Sequence, residues 1–164
     1  MGWNPFSSDE IITDIEALKK AIEITNNRLN KAKNLPYFRE KFPSVHSEFT
    51  KAAKKLAHVS EHLGKVEKVH SAAKSYANIK TALKVLDDQY ALEFDSDKAA
   101  RAIGILLVEF GGIVSYLPYP VNNYAQFLIS LGGNFAKITR QLVPQTRKGQ
   151  EDIWKVVPSI RYNQ

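Results

Sequence analysis

Residues 110–136 read FGGIVSYLPYPVNNYAQFLISLGGNFA, with no charged side chain among them. The tetrapeptide Leu117-Pro118-Tyr119-Pro120 lies in the middle, and a glycine pair lies on each side. Upstream, residues 102–108 extend the apolar run. Because proline breaks a helix, this pattern predicts two apolar helices joined by a double-proline turn. We therefore expect a hydrophobic helical hairpin over residues 97–142.

The two arms of this hairpin differ in character. The first arm carries small residues about every fourth position, which lets another helix approach closely. These residues are Gly104, Val108, Gly111 and Ser115. Ser96 or Asp97 is expected to cap the first arm, and Asn122 or Asn123 the second. The second arm also carries an uncharged polar stripe.

Residues 7–95 have the periodicity of amphipathic helices. Ser7 and Glu10 form a capping-box pattern, which predicts that the first helix begins near Ser7. We expect this helix to end before Pro36, since the residue before a proline avoids the α region. Its apolar residues at helical spacing are Ile11, Ile12, Ile15, Leu18, Ile22 and Leu29.

A second periodic segment runs over residues 44–90, with Ser44 as the expected cap. Its apolar residues alternate spacings of three and four, as in a heptad seam. One helix of this length would be about 70 Å long, too long for a compact bundle. We predict a break between Gly64 and Ser75, where the register slips. A continuous rod is the alternative, and it implies an elongated or oligomeric protein.

Composition agrees with one globular domain: the chain has 164 residues, 44% hydrophobic and 24% charged. We expect an all-α single-domain bundle of five or six amphipathic helices around the hydrophobic hairpin, without a strand. Residues 7–95 form the amphipathic helices, 97–142 the hairpin and 143–164 a basic C-terminal segment. The residues expected in the core are Ile11, Leu18, Leu56, Leu63, Leu83, Ile103, Leu106, Leu107, Phe110, Phe127, Leu128 and Leu131.

The sequence offers little for catalysis. It has no cysteine, no phosphate-binding loop and no hydrolase or zinc-protease motif. His58 and His62 are four residues apart on the predicted second helical segment, which also holds His46 and His70, but two neutral ligands make a weak metal site. We predict no catalytic residue, metal site or cofactor, and hence no enzyme. Lysines distributed around a helix do not form a reading face, so nucleic acid is not the predicted partner.

The uncharged hairpin favours membrane activity. Each arm approaches the roughly 20 residues that a bilayer requires, and tyrosines cluster at the tip. The residues predicted to insert are Ile103, Leu106, Leu107, Phe110, Tyr116, Tyr119, Tyr124, Phe127, Leu128 and Leu131. Those predicted to line a pore are Glu109, Asn122, Gln126, Ser130 and Asn134. Those predicted to bind anionic lipid headgroups are Lys137, Arg140, Arg147 and Lys148, which suits the net charge of +6.

A soluble helical domain that stores an apolar hairpin inside amphipathic helices resembles the channel-forming bacterial toxins of the colicin type. The similarity covers Ala99 to Ile138 and is one of pattern. It implies a pore-forming toxin or effector, with anionic membrane lipids, a cognate immunity or delivery protein and further copies of the chain as partners. The N-terminus lacks a Sec signal, so we expect a soluble form made in the cytoplasm and delivered to a target membrane by another route, such as a contractile secretion apparatus.

The alternative is a non-enzymatic helical protein–protein interaction module, an adaptor or an immunity-like protein. In that case the hairpin is simply buried core. The discriminating observation is whether the protein permeabilises anionic liposomes.

Overall fold

A computed structural model describes residues 10–71, 75–87 and 96–142. These ranges contain six α-helices and a 3₁₀ turn at Val121–Asn123. The helices are α1 (Ile15–Ala32), α2 (Pro36–Lys41), α3 (Val45–Leu63), α4 (Ser75–Val85), α5 (Ser96–Val114) and α6 (Tyr124–Leu142). The strands are β1 (Glu10–Ile12) and β2 (Val69–Ser71). The expected all-α helical bundle is confirmed, with one small ribbon added to it.

The ribbon corrects the prediction of a chain without strands. Ile11 pairs with His70 and Ile12 with Val69 in an antiparallel ladder. Burial alternates along it, since Ile12 and Val69 are buried while Ile11 is 53% exposed. Side chains that alternate between two faces are typical of a strand. The helical assignment of Ile11, its place in the core, and the helical assignment of His70 were therefore wrong.

The beginnings of α1 and α3 follow different capping rules. The Asp14 carboxylate accepts a 3.0 Å hydrogen bond from the backbone N–H of Ala17, so α1 begins at Ile15 rather than near Ser7, which lies outside the described residues. Ser44 precedes α3 as predicted, yet its side chain makes no capping hydrogen bond. As expected, α1 ends before Pro36, which opens α2.

The long periodic segment is broken where the register slips. Helix α3 ends at Leu63, β2 follows, and α4 begins at Ser75. The predicted break between residues 64 and 75 is thus confirmed, and the continuous rod is not formed. The segment between the two helices supplies β2, which pairs with β1.

Helix α5 is the centre of the molecule. It packs mainly on α6 and α4, and it also contacts α1 and β2. From Ala99 to Val114 every residue is buried except Val108 and Gly112, which are half-buried. A helix that is apolar nearly all round must be covered on all sides, and here the bundle supplies that cover.

Glycines bring α5 and α6 close together. A methyl group on Gly104 would lie 3.0 Å from the backbone of Ala136 and of Gly132, and one on Gly111 would lie 3.1 Å from the backbone of Ala125. At these distances an added side chain would force the facing backbone to shift. The prediction that this face of small residues admits a close helix is confirmed.

Helix α3 lies antiparallel to both α1 and α6. Asn26 donates a 3.1 Å hydrogen bond to the carbonyl of Ala53. At one end of α6, the ring of Phe135 stacks 4.0 Å from Phe42 and tilts 5.2 Å from Phe49. Aromatic pairs at such separations stabilise a core beyond the area they bury.

Most of the expected core residues are buried. These are Leu18, Leu56, Leu63, Ile103, Leu106, Leu107, Phe110 and Leu128. Leu83, Phe127 and Leu131 are only half-buried, at the margin of the core. Two of these margin residues, Phe127 and Leu131, lie on the same side of α6.

Candidate functional site

The hairpin carries two charged residues that the bundle encloses. Arg101 is 1% exposed and Glu109 is 7% exposed, both on α5. The side chain of Asn78, on α4, donates a 2.9 Å hydrogen bond to Glu109 Oε2. Burying a carboxylate is unfavourable unless it is hydrogen-bonded, and α4 supplies that bond. Glu109, predicted to line a pore, thus lies inside the bundle in this state.

The residues predicted to insert into a membrane divide into three groups. Ile103, Leu106, Leu107, Phe110 and Leu128 are buried in the core. Tyr124, Phe127 and Leu131 are half-buried along α6. Tyr116 and Tyr119 are exposed at the tip of the hairpin, at 43% and 77%. The apolar arms are therefore covered while the tip is open to solvent.

Three residues of the predicted polar stripe lie on the outer face of α6, and the fourth, Asn122, lies in the 3₁₀ turn before it. Gln126, Ser130 and Asn134 are exposed. The side-chain amide of Gln126 donates a 3.1 Å hydrogen bond to Ser130 Oγ. Asn122 is half-buried, and its Oδ1 has no hydrogen-bond partner within the described residues. The part of the stripe on α6 therefore faces solvent, whereas Asn122 does so only in part.

The side chains predicted to bind lipid headgroups all lie outside the described residues. Lys137 and Arg140 belong to α6, but their side chains lie outside the described residues, as do Arg147 and Lys148 altogether.

Helices α3 and α6 lie side by side, and we call the surface strip along their contact the α3–α6 groove. Its apolar wall consists of the half-buried Tyr124, Phe127 and Leu131 of α6. Its basic wall consists of Lys51, Lys55 and His58, which recur at spacings of four and three on one face of α3. The two walls bring the Lys55 side chain beside aromatic rings of α6.

Three short contacts fix the middle of this groove. The Lys55 ammonium lies 4.6 Å from the ring centroid of Tyr124 and 5.3 Å from that of Phe127. The Tyr124 hydroxyl lies 2.6 Å from His58 Nδ1. A cation at these distances is attracted to the faces of the rings. Lys55 is therefore held over the apolar wall instead of extending into solvent.

One end of the groove opens into a hollow of about 240 Å³. Phe42, Phe49 and Phe135 line it together with Leu131, and Lys41, Glu48 and Asn134 also border it. This combination of an apolar base with a few polar side chains is typical of sites that accept an apolar group.

A second, larger cleft of about 410 Å³ lies between α1 and α3. Its charged side chains already pair with each other: Lys19 lies 3.6 Å from Glu16, and Lys20 lies 3.7 Å from Glu23. With charges balanced along one helix, this cleft has no charge preference comparable to that of the α3–α6 groove.

Sequence reasoning found one wall of the groove and missed the other. Tyr124, Phe127 and Leu131 were singled out as membrane-inserting residues, whereas the lysines of the second helical segment were considered only as a reading face for nucleic acid. The signal available was the spacing of Lys51, Lys55 and His58, one stripe beside the heptad seam. The sequence alone did not show that this stripe would lie beside α6.

Within residues 10–71, 75–87 and 96–142, no helix combines the length and the apolar character needed to cross a membrane. The same residues contain no group of three or more histidine, aspartate or glutamate side chains placed to hold a metal ion. Comparisons of the chain with known protein families, with curated proteins and with solved structures found no match.

Proposed function

We propose that the protein is a non-enzymatic helical module that binds another protein, with the hairpin as its core. The observation that carries this proposal is the enclosure of α5, whose residues from Ala99 to Val114 are buried or half-buried. Such a helix acts as a scaffold, and binding is then a property of the surfaces around it.

The contacts of α5 support this role. Releasing the hairpin would separate Glu109, on α5, from its hydrogen-bond donor Asn78, on α4. It would also place Arg101 and Glu109 in hydrocarbon, at a cost of about 3 kcal/mol for each charge. A folded bundle that keeps its hairpin buried avoids these costs.

A second candidate function is insertion of the hairpin into a membrane, as the resemblance to channel-forming toxins implies. The observation in its favour is the exposure of Tyr116 and Tyr119 at the tip of the uncharged stretch 110–136. Tyrosines are enriched at membrane–water interfaces, so an exposed pair is a suitable first contact.

Dye leakage from anionic liposomes separates the two functions. The interaction module is expected to release no dye at micromolar concentration, at neutral or at acidic pH. Insertion would instead be established if the wild type releases dye and the double variant Leu107→Asp with Leu128→Asp does not. The circular dichroism spectrum of the double variant must remain helical. The double variant serves as the matched control for non-specific lipid damage.

A positive test of binding uses photo-crosslinking in cells that produce the protein naturally. A benzophenone amino acid replaces Ser130, which is exposed on α6 beside the groove, or Lys84, which is exposed on α4. We expect a discrete adduct with a second protein from position 130 and none from position 84. No adduct from either position would contradict the proposed function.

A further inference from the structure

We propose that the α3–α6 groove binds an acidic amphipathic helix of a partner protein. This inference rests on the proposed function and names the chemistry of the partner. It is carried by the charge of one wall of the groove, the apolar spacing of the other wall and the hollow at one end.

The apolar wall has the spacing of a helix-binding surface. Tyr124, Phe127 and Leu131 are separated by three and four residues, so they form one strip about 10 Å long on α6. All three are half-buried, which leaves part of each side chain accessible. An amphipathic helix whose apolar residues recur at the same spacing packs against such a strip.

The basic wall selects the charge of that helix. Lys51 and Lys55 lie on the α3 side, and Lys41 borders the hollow at the end. Glu48 is the carboxylate that borders the same hollow among the described residues. A partner with acidic residues flanking its apolar face would complement these lysines, which raises the rate of encounter and fixes orientation.

Lys55 is positioned for such a contact. Its ammonium lies over the rings of Tyr124 and Phe127, and the residue as a whole is half-buried. A carboxylate placed above the apolar wall would reach an ammonium that is already oriented, so less side-chain entropy is lost on binding. His58 keeps the Tyr124 ring in place through its 2.6 Å contact with the hydroxyl.

The hollow accounts for specificity along the groove. It lies beside Leu131, in line with the apolar strip, and its base consists of phenyl rings. Its volume of about 240 Å³ accommodates one large apolar side chain from the end of the bound helix. The bound helix therefore combines an apolar face, an acidic rim and one large terminal anchor.

The test uses a synthetic amphipathic peptide of about 18 residues, which forms five helical turns. Its apolar face carries leucines with one terminal tryptophan, and its flanks carry glutamates; a second peptide has lysines in place of the glutamates. Fluorescence anisotropy measures the dissociation constant of each peptide with the full chain. We expect the acidic peptide to bind at least about tenfold more tightly than the basic one, equivalent to about 1.4 kcal/mol.

The charge reversals Lys51→Glu and Lys55→Glu are made together in one variant. They should raise the dissociation constant of the acidic peptide by at least about tenfold and lower that of the basic peptide. The matched control is the double variant Lys80→Glu with Lys84→Glu, a pair at the same spacing on α4. This control should change the dissociation constant of either peptide by less than about threefold. Equal effects of both pairs would show non-specific attraction and overturn the inference.

Two other outcomes also overturn it. If the acidic peptide does not bind while position 130 still yields a protein adduct, the proposed function stands and the partner chemistry is wrong. A second outcome is that neither peptide binds, whereas intact anionic vesicles bind and the Lys51 and Lys55 reversals abolish vesicle binding. The groove then faces a lipid surface. Dye leakage from anionic liposomes, by contrast, would contradict the proposed function itself.

Discussion

The backbone carbonyl of Gly104 lies directly against Gly132 on the facing helix. A methyl group on Gly132 would come within 2.5 Å of that oxygen and within 2.8 Å of both Leu107 Cβ and the Val108 nitrogen. Two of these three atoms belong to the backbone, which cannot move aside as a flexible side chain can. The separation of α5 and α6 is therefore set at this point.

Gly132→Ala should destabilise the protein by about 1–3 kcal/mol, because the added methyl group overpacks the interface. Gly133→Ala is the matched control, since no atom lies within 4 Å of its added methyl group. That control should be neutral or stabilising by up to about 1 kcal/mol, as alanine favours a helix more than glycine does. Urea unfolding measures both, and equal effects would show that the close approach does not limit packing.

Asn78→Ala should lower the free energy of unfolding by about 1–3 kcal/mol, because Glu109 loses a buried hydrogen-bond donor. A double-mutant cycle with Glu109→Gln gives the coupling between the two side chains, expected between about 0.5 and 3 kcal/mol. Ala77→Ser, at an exposed neighbouring position, is the control. Additive effects of the two substitutions would contradict a direct coupling.

Asp14→Ala should cost about 0.5–2 kcal/mol, because the Ala17 N–H loses its capping acceptor. Asp14→Asn should retain most of the stability, since asparagine caps almost as well. Ser44→Ala, at the corresponding position of α3, should change little because Ser44 makes no side-chain cap. Thermal unfolding of the three variants compares the stability of the two helix starts. A larger loss of stability in Ser44→Ala than in Asp14→Ala would contradict the assignment of Asp14 as the capping side chain.

Burial raises the pKa of the Tyr76 hydroxyl above its ordinary value of 10.0, and the nearby Asp14 carboxylate raises it further. The folded state thus holds this proton more tightly than the unfolded state does. The resulting stability is fully present below pH 10 and is lost as the pH rises through the folded-state value. The free energy of unfolding of wild type should therefore fall more steeply above pH 10 than that of Tyr76→Phe; parallel curves would contradict the shift.

The helical architecture was predictable because it follows from local spacing. Apolar periodicity located α3 and α4, and the register slip after Gly64 marked the connection between them. The glycines of the 104–111 region indicated a close helix contact before any partner was known. These features depend on residues within one or two helical turns, which a single sequence displays directly.

The ribbon was not predictable in the same way. Ile11 and Ile12 fit the helical spacing of residues that follow them, and the Ser7–Glu10 pattern favoured a helix start. What decides otherwise is pairing with His70 and Val69, far along the chain. Strand pairing between distant segments leaves no local trace in so short a ribbon.

The candidate groove was only half predictable for a related reason. Periodicity identifies which face of α6 is apolar, but not how far its neighbour covers it. Phe127 and Leu131 were expected in the core and are half-buried, since α3 lies beside them with lysines toward the groove. The hydrogen bond from Asn78 to Glu109 was equally invisible, because it joins two separate helices.

The enclosure of α5 has a consequence for how this chain can change over generations. A helix with no face to solvent tolerates few substitutions, since nearly every side chain on it contacts a neighbour. The outer faces of α3 and α4 are free of that constraint. Descendants of this chain should therefore diverge first on those faces, while one nearly invariant helix keeps the bundle folded.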